Sequence, residues 1–401
     1  MLSSHTSRLS RRTFATAVYA WGASAAGLAP HKPPTADVMA PLDVTASIDE
    51  YMAANKLPAG TTVSSVVAGR GDNSGFVFSN GQAVITGDNK YSACTTIPST
   101  IPVKSLSLGP FNYSAISTDN KLYSWGYPGS SINGFGQLGL GPLLSSPDAD
   151  HVATPTLVDS LVEDATPPTA VSHGNAHTIM LTVTDDTAEV LTAGAGTFGR
   201  LGNPEPVDLL HLAPVEYLHT QSTDSPFTTV AAGSAFSLAL NASGEVFSYG
   251  KNDKGQLGHG GGMSMDMYAM ESLPTLIETF SLQNVRIVDV SAGYDHSAAV
   301  SEEGEVYIWG GKSGFLEPDK VSGLQGIQIV SVQCGYNFTV CCDVEGRLYT
   351  MSHGGGTGGV KVGATGDGKG KGGVDPIRMR IEGKVTQYSV GWRHVLAVVD
   401  Q

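Results

Sequence analysis

Residues 290–310 read VSAGYDHSAAVSEEGEVYIWG, and this stretch decides the fold. Val290, two small residues and Gly293 lead to a second apolar position seven places past the glycine, Val300. The pair Glu303-Gly304 follows, and after it the run Val306-Tyr307-Ile308-Trp309-Gly310. β-Branched and aromatic residues flank a pair that accepts positive backbone angles, so strand, tight turn and strand form one antiparallel unit.

Working outward, the first half of this pattern returns along the chain as Val66…Gly69…Phe76, Leu106…Gly109…Ile116, Val171…Gly174…Leu181, Val230…Gly233…Leu240, Val332…Gly335…Cys342 and Tyr388…Gly391…Val398. The second half returns as Ala83 to Gly87, Leu122 to Gly126, Val190 to Gly194, Val246 to Gly250 and, in degenerate form, Leu348 to Ser352. Turn pairs stand between the halves: Asn80-Gly81, Asp119-Asn120, Ser243-Gly244 and Glu345-Gly346. A sheet-forming unit repeated at this interval predicts an array of like units around one core.

The last unit is divided between the ends of the chain. Thr386 to Asp400 supplies its first strands and stops at the turn, while Val18-Tyr19-Ala20-Trp21-Gly22 supplies a closing strand with nothing before it to pair with. Joining them predicts an all-β, seven-bladed propeller closed by pairing the N-terminal strand with the C-terminal strands, which removes the open sheet edges.

These residues resemble the regulator of chromosome condensation repeat, whose pattern is a glycine, two variable residues and a histidine, then a strand-turn-strand ending in Trp-Gly and a Gly-Gln-Leu-Gly loop. It is fullest in Gly293-Tyr294-Asp295-His296 with Trp309-Gly310, in Trp125-Gly126 with Gly136-Gln137-Leu138-Gly139, and in Gly250 with Gly255-Gln256-Leu257-Gly258. The resemblance runs from Val18 onward and implies a seven-bladed propeller. Asp72, Asn112, Phe236 and Phe338 are read as replacing the histidine, and Thr86, Ala193 and Met351 as replacing the tryptophan.

The 401 residues include 50 glycines, too many for a helical protein and suited to a turn-rich ring. Propellers grow by adding blades, so one domain is expected over 15–401, with insertions between blades near 37–60, 141–168, 203–227, 259–284 and 354–376. Within the first insertion, Ile48, Tyr51 and Met52 are spaced for one or two helical turns. No apolar run has the length of a membrane span. A formal charge of −14 argues against a nucleic-acid surface.

Residues 1–14 read as a mitochondrial targeting presequence: Arg8, Arg11 and Arg12, several hydroxyl side chains and no acid. Arg12-Thr13-Phe14 before Ala15 also resembles the site cut by the mitochondrial processing peptidase. The expected location is the mitochondrial matrix. Cys94, Cys334, Cys341 and Cys342 show neither disulfide nor zinc spacing and are read as free thiols.

His177, His296 and His394 follow their glycines at one fixed interval, which marks a structural role repeated from blade to blade rather than a catalytic one. The repeat positions Gly69, Gly109, Gly174, Gly233, Gly293, Gly335 and Gly391, with Trp21, Trp125 and Trp309, are likewise structural. No catalytic residue, cofactor site or metal site is expected; His211 and His219 lie eight apart in a non-helical segment, without metal-binding logic. The run Gly363 to Gly370 imitates a phosphate loop but offers Gly370 where a serine or threonine is required. Gly-Trp-Arg-His, which recurs in successive blades of a plant light-sensing relative, occurs once, at 391–394, which argues against a light sensor.

Partner contacts are expected from the loops. Met263, Met265, Met267 and Met270 form a soft apolar cluster. Lys369 and Lys371 sit in the glycine-rich stretch 354–373, the one loop biased toward RNA or an acidic partner. By resemblance to organellar members, the chain is expected to be a non-catalytic interaction scaffold in a larger assembly, such as a mitochondrial ribosome, RNA-processing or respiratory complex. The alternative is a guanine-nucleotide exchange factor for a small GTPase, as in the founding nuclear member acting on Ran.

Overall fold

Seven antiparallel sheets follow one another around a central channel in the computed structural model, which describes residues 16–23, 27–30, 38–87, 96–130, 134–142, 151–159, 161, 167–184, 187–221, 225–260, 269–353 and 375–401. The first blade pairs Val63–Ala68, Asn73–Phe78 and Ala83–Gly87. Four strands build the second, Val103–Leu108, Asn112–Ser117, Leu122–Gly126 and Val152–Leu157, and the third, Pro168–His173, His177–Val183, Ala188–Gly194 and Leu209–Pro214. The fourth takes Phe227–Ala232, Phe236–Asn241, Val246–Lys251 and Met270–Leu276. The fifth uses Ile287–Ala292, His296–Ser301, Val306–Gly310 and Asp319–Lys320, and the sixth Ile329–Cys334, Phe338–Asp343, Leu348–Ser352 and Ile377–Arg378.

The seventh blade closes the ring as the divided repeat requires. Thr16–Gly22 lies between His394–Asp400 and Val38–Asp43, and its register with the C-terminal strand runs from Thr16 opposite Asp400 to Gly22 opposite His394. Trp21 is fully buried and packs with Phe338, Val340, Val395 and Val399, so this strand also fills the space toward the sixth blade.

The pattern of burial explains the composition. Second strands such as Phe236–Asn241 and His296–Ser301 are buried at every residue because both their faces meet neighbouring blades. Innermost strands such as Ile287–Ala292 and Ile329–Cys334 alternate, one side being turned to the channel. Large aromatics fill the wedges between blades, among them Trp125 with Tyr113 and Trp309 with Phe280.

Close approach at the hub fixes the repeat glycines. A Cβ on Gly293 would stand 2.6 Å from the Gly335 carbonyl oxygen of the next blade, and one on Gly174 2.7 Å from that of Gly233.

Several expected inter-blade insertions hold the outer strands of the blades. Val152–Leu157, Leu209–Pro214 and Met270–Leu276 all pair onto their sheets, and short helices Glu216–Gln221 and Glu278–Leu282 follow the latter two. Pro155, Pro214 and Pro274 lie within these strands, where proline is tolerated because on an edge strand its missing N–H faces outward. Thr45–Ala54 is helical, with Ile48 buried and Tyr51 stacked on Phe78 at 5.8 Å.

Candidate functional site: the loop face and its cavity

In a four-stranded antiparallel blade, the link between the first two strands and the link between the last two emerge at the same end. All seven repeat glycines sit in the first of these links. Successive blades are tied there by backbone bonds: Asn175 N–H to Ser234 O, Ser234 N–H to Tyr294 O, Tyr294 N–H to Gly335 O and Tyr336 N–H to Trp392 O. Tyr294 stacks on Tyr336 at 4.3 Å, and Trp392 meets both rings edge-on. Arg70 reaches from the first blade across the channel and donates through Nη2 to the Ala292 carbonyl of the fifth at 2.9 Å. Burial lowers its pKa to about 10.

Histidines at this level are fastened between blades. His177 Nε2 meets Ser237 Oγ at 3.1 Å, His296 Nε2 meets Thr339 Oγ1 at 3.1 Å, and His394 Nε2 meets Ser74 Oγ at 3.0 Å. Each hydroxyl belongs to the following blade. Asn112 does the same job with Thr178 at 3.1 Å, and Asn73 approaches the Tyr113 hydroxyl at 3.4 Å. In the first blade the replacing residue is therefore Asn73, not Asp72, because Arg70-Gly71-Asp72 makes that link one residue longer; Gly69 N–H donates to Asn73 O. Asp72 instead pairs with Arg393 at 2.8 Å. Desolvation, first among the causes, pushes His394 and His173 down to about 3 and His177 and His296 well below the ordinary range, so the rings are neutral.

A cavity of about 770 Å³ opens on this same face across the second to fifth blades. Phe111, Tyr127 and Tyr294 wall it, and the loops after the third strands contribute Phe198, Arg200, Lys251, Asp253 and Lys254. Gln137 and Gln256 hold their own loops, Gln137 donating to Tyr127 O at 2.6 Å and Gln256 accepting from Lys254 N–H at 2.8 Å. Arg200 stands at the same step, in Gly199-Arg200-Leu201-Gly202, where the other two loops read Gly-Gln-Leu-Gly. Arg200 is 5 % exposed, and among the described residues its guanidinium donates only to Thr197, from Nε to the carbonyl at 2.8 Å and from Nη2 to Oγ1 at 3.1 Å. Desolvation lowers its pKa to about 10.

The ring of Phe198 lies 5.5 Å from Arg200 Cζ and 5.4 Å from Lys251 Nζ. Its φ is +64°, a left-handed conformation that a side chain of this size adopts only at a cost of about 1 kcal/mol. Lys251 pairs with Asp253 at 2.9 Å, while burial and then the Asp253 charge push the Asp295 carboxyl above its usual range.

Among the described residues, no group of three or more His, Cys, Asp or Glu is placed to hold a metal ion, and no helix is long and apolar enough to cross a membrane. Cys334, Cys341 and Cys342 are buried free thiols. Of the expected partner contacts, Met270 opens the outer strand of the fourth blade and is 42 % exposed. Met263, Met265, Met267, Lys369 and Lys371 lie outside the described residues, as do the presequence and Cys94. The sequence reading missed Arg200, although its departure from Gln137 and Gln256 in an otherwise matching loop was visible.

Ring closure, inter-blade latches and a loop-built face define a seven-bladed β-propeller. The regulator of chromosome condensation (RCC1) repeat profile matches residues 119–181 and 243–300, and a second profile of the same description matches 227–256. These stretches therefore carry RCC1 repeats, and the closed seven-bladed ring is the fold that such repeats build.

Its relatives include the ultraviolet-B receptor UVR8 of Arabidopsis thaliana, 34 % identical over 206 residues that cover 51 % of this chain and 40 % of that protein. The human E3 ubiquitin-protein ligase HERC2 is 31 % identical over 205 residues, 51 % of this chain and 4 % of that protein. The chain therefore matches less than half the length of these curated relatives. Among solved structures, human WBSCR16 superposes with a TM-score of 0.72 at 18 % identity, covering 96 % of this chain and 99 % of that one. Prp20p of Saccharomyces cerevisiae, described with its binding to Gsp1p and histones, gives 0.75 at 17 % identity over 96 % and 92 %.

Proposed function

We propose that this propeller is a non-catalytic protein-interaction scaffold in mitochondria, serving as a component or assembly factor of a large complex. The observation that carries the reading is the division of labour on the loop face. The latch histidines are held neutral and bonded between blades, while the largely half-buried links around them build a wide cavity with aromatic walls and cationic side chains. A rigid frame with variable loops is how a scaffold presents a binding surface. The arginine-rich, acid-free composition of residues 1–14 supports the mitochondrial part.

Affinity purification of the full chain from isolated mitochondria tests the proposal. Stoichiometric protein companions that co-sediment as a large particle are expected. The exchange-factor alternative draws on the likeness to Prp20p and predicts instead that the purified chain accelerates nucleotide release from a small GTPase. That result, without a stable particle, overturns the scaffold reading.

A further inference from the structure

Arg200 presents a charge problem that the fold leaves open. It replaces the neutral glutamine of two sister loops, it is 5 % exposed, and among the described residues no carboxylate lies within 4.0 Å of its guanidinium. Asp208 is the acid whose charge it feels, yet that carboxylate spends its oxygens on backbone donors: Oδ1 accepts from Gly196 N–H at 3.0 Å and Oδ2 from Phe135 N–H at 2.9 Å. A cation taken out of water without a counter-charge is costly, and the cost is recovered when an anion enters beside it. The cavity supplies the room, with aromatic walls on one side and Arg200 with Lys251 about the Phe198 ring on the other.

We propose that this cavity receives a single carboxylate side chain of a partner polypeptide, held by the Arg200 guanidinium, with an adjoining aromatic or aliphatic residue of the partner against Phe111, Tyr127 and Tyr294. The proposal rests on the scaffold reading and names the chemistry of its docking point. Guanidinium geometry matches a carboxylate with two parallel hydrogen bonds. Asp253 and Asp295 line the same cavity and the whole chain carries −14, so one isolated acid is accommodated while a phosphate polymer is repelled.

The test is calorimetric titration of the full chain with the capped peptides Ac-Phe-Glu-Phe-NH2 and Ac-Phe-Gln-Phe-NH2, with inorganic phosphate, and with hexauridylate. Wild type is expected to prefer the Glu peptide to its Gln counterpart by about tenfold or more. Arg200→Gln, which installs the residue of the sister loops and is expected to melt like wild type, should erase that preference; Arg200→Lys should keep part of it. Indistinguishable responses of wild type and Arg200→Gln, including none from either, overturn the proposal. So does tighter binding of phosphate or hexauridylate than of the Glu peptide. Mitochondrial capture separates the two readings: partners retained in full by Arg200→Gln leave the scaffold standing and overturn the Arg200 contact. Peptide discrimination without any captured partner does the reverse.

Discussion

Two neighbouring blade junctions solve the same problem with different residues. Between the third and fourth blades, His177 spans the gap alone to Ser237. Between the second and third, Asn112 occupies the histidine's place, and His173 arrives from the opposite blade to meet Asn112 at 2.9 Å and Ser114 at 2.6 Å. The two hydroxyls Ser237 and Thr178 occupy matching steps of their strands. What recurs from blade to blade is therefore a filled, hydrogen-bonded joint, and the side that supplies the ring is free to change.

Acid offers the largest way to strain both joints together. His173 and His394 are held near pKa 3 and His353 near 4, with His177 and His296 also lowered, against an ordinary value of 6.5. Below 6.5 the unfolded chain takes up protons that the folded chain refuses, so stability falls as pH falls, by about 2 kcal/mol per histidine on going to about pH 5. Asp289, raised to about 6, works the other way and restores about 1 kcal/mol over the same window. Urea midpoints measured between neutrality and pH 5 should fall steeply; a flat profile would break the account of both joints.

Next in size is His173→Ala, which leaves a hole in the buried joint and strips partners from Asn112 and Ser114. A loss of about 3 to 4 kcal/mol is expected, larger than for His177→Ala, in chemical denaturation. Equal costs would mean that Asn112 bridges unaided. His394→Asn copies the short side chain of the second blade without supplying the compensating ring, and should cost about 2 kcal/mol by the same measurement. Smallest is His296→Phe, at about 1 kcal/mol or less in thermal melting. Phe236 and Phe338 already occupy this step in their blades, and Thr339 keeps His353 as a partner at 2.8 Å.

Much of the frame was legible before any coordinates. Glycine spacing, turn pairs such as Glu303-Gly304 and the unpaired strand at Tyr19 led directly to seven closed blades, because hub crowding and hairpin geometry act on neighbouring residues. The joints were half legible: fixed-interval histidines stood out, but the longer link at Arg70-Gly71-Asp72 shifted the count by one and hid Asn73. His173 was invisible as a latch because its partners are 61 and 59 residues away in another blade. The outer strand Val152–Leu157 was obscured by the prolines of its segment. The cavity was not legible at all, since it is assembled from loops of four blades whose adjacency exists only once the ring is formed.

The closing strand carries a mechanical consequence. Thr16 faces Asp400 and Gly22 faces His394, so the outermost described residues of the chain lie side by side at one end of the pair. Tension that draws them apart loads the ladder one rung at a time, as a zipper is opened, instead of all rungs together. In a force measurement the wheel should come undone at this seam at low load, whereas force applied between Gly22 and Asp400, at opposite ends of the pair, loads all rungs in shear and should meet much higher resistance.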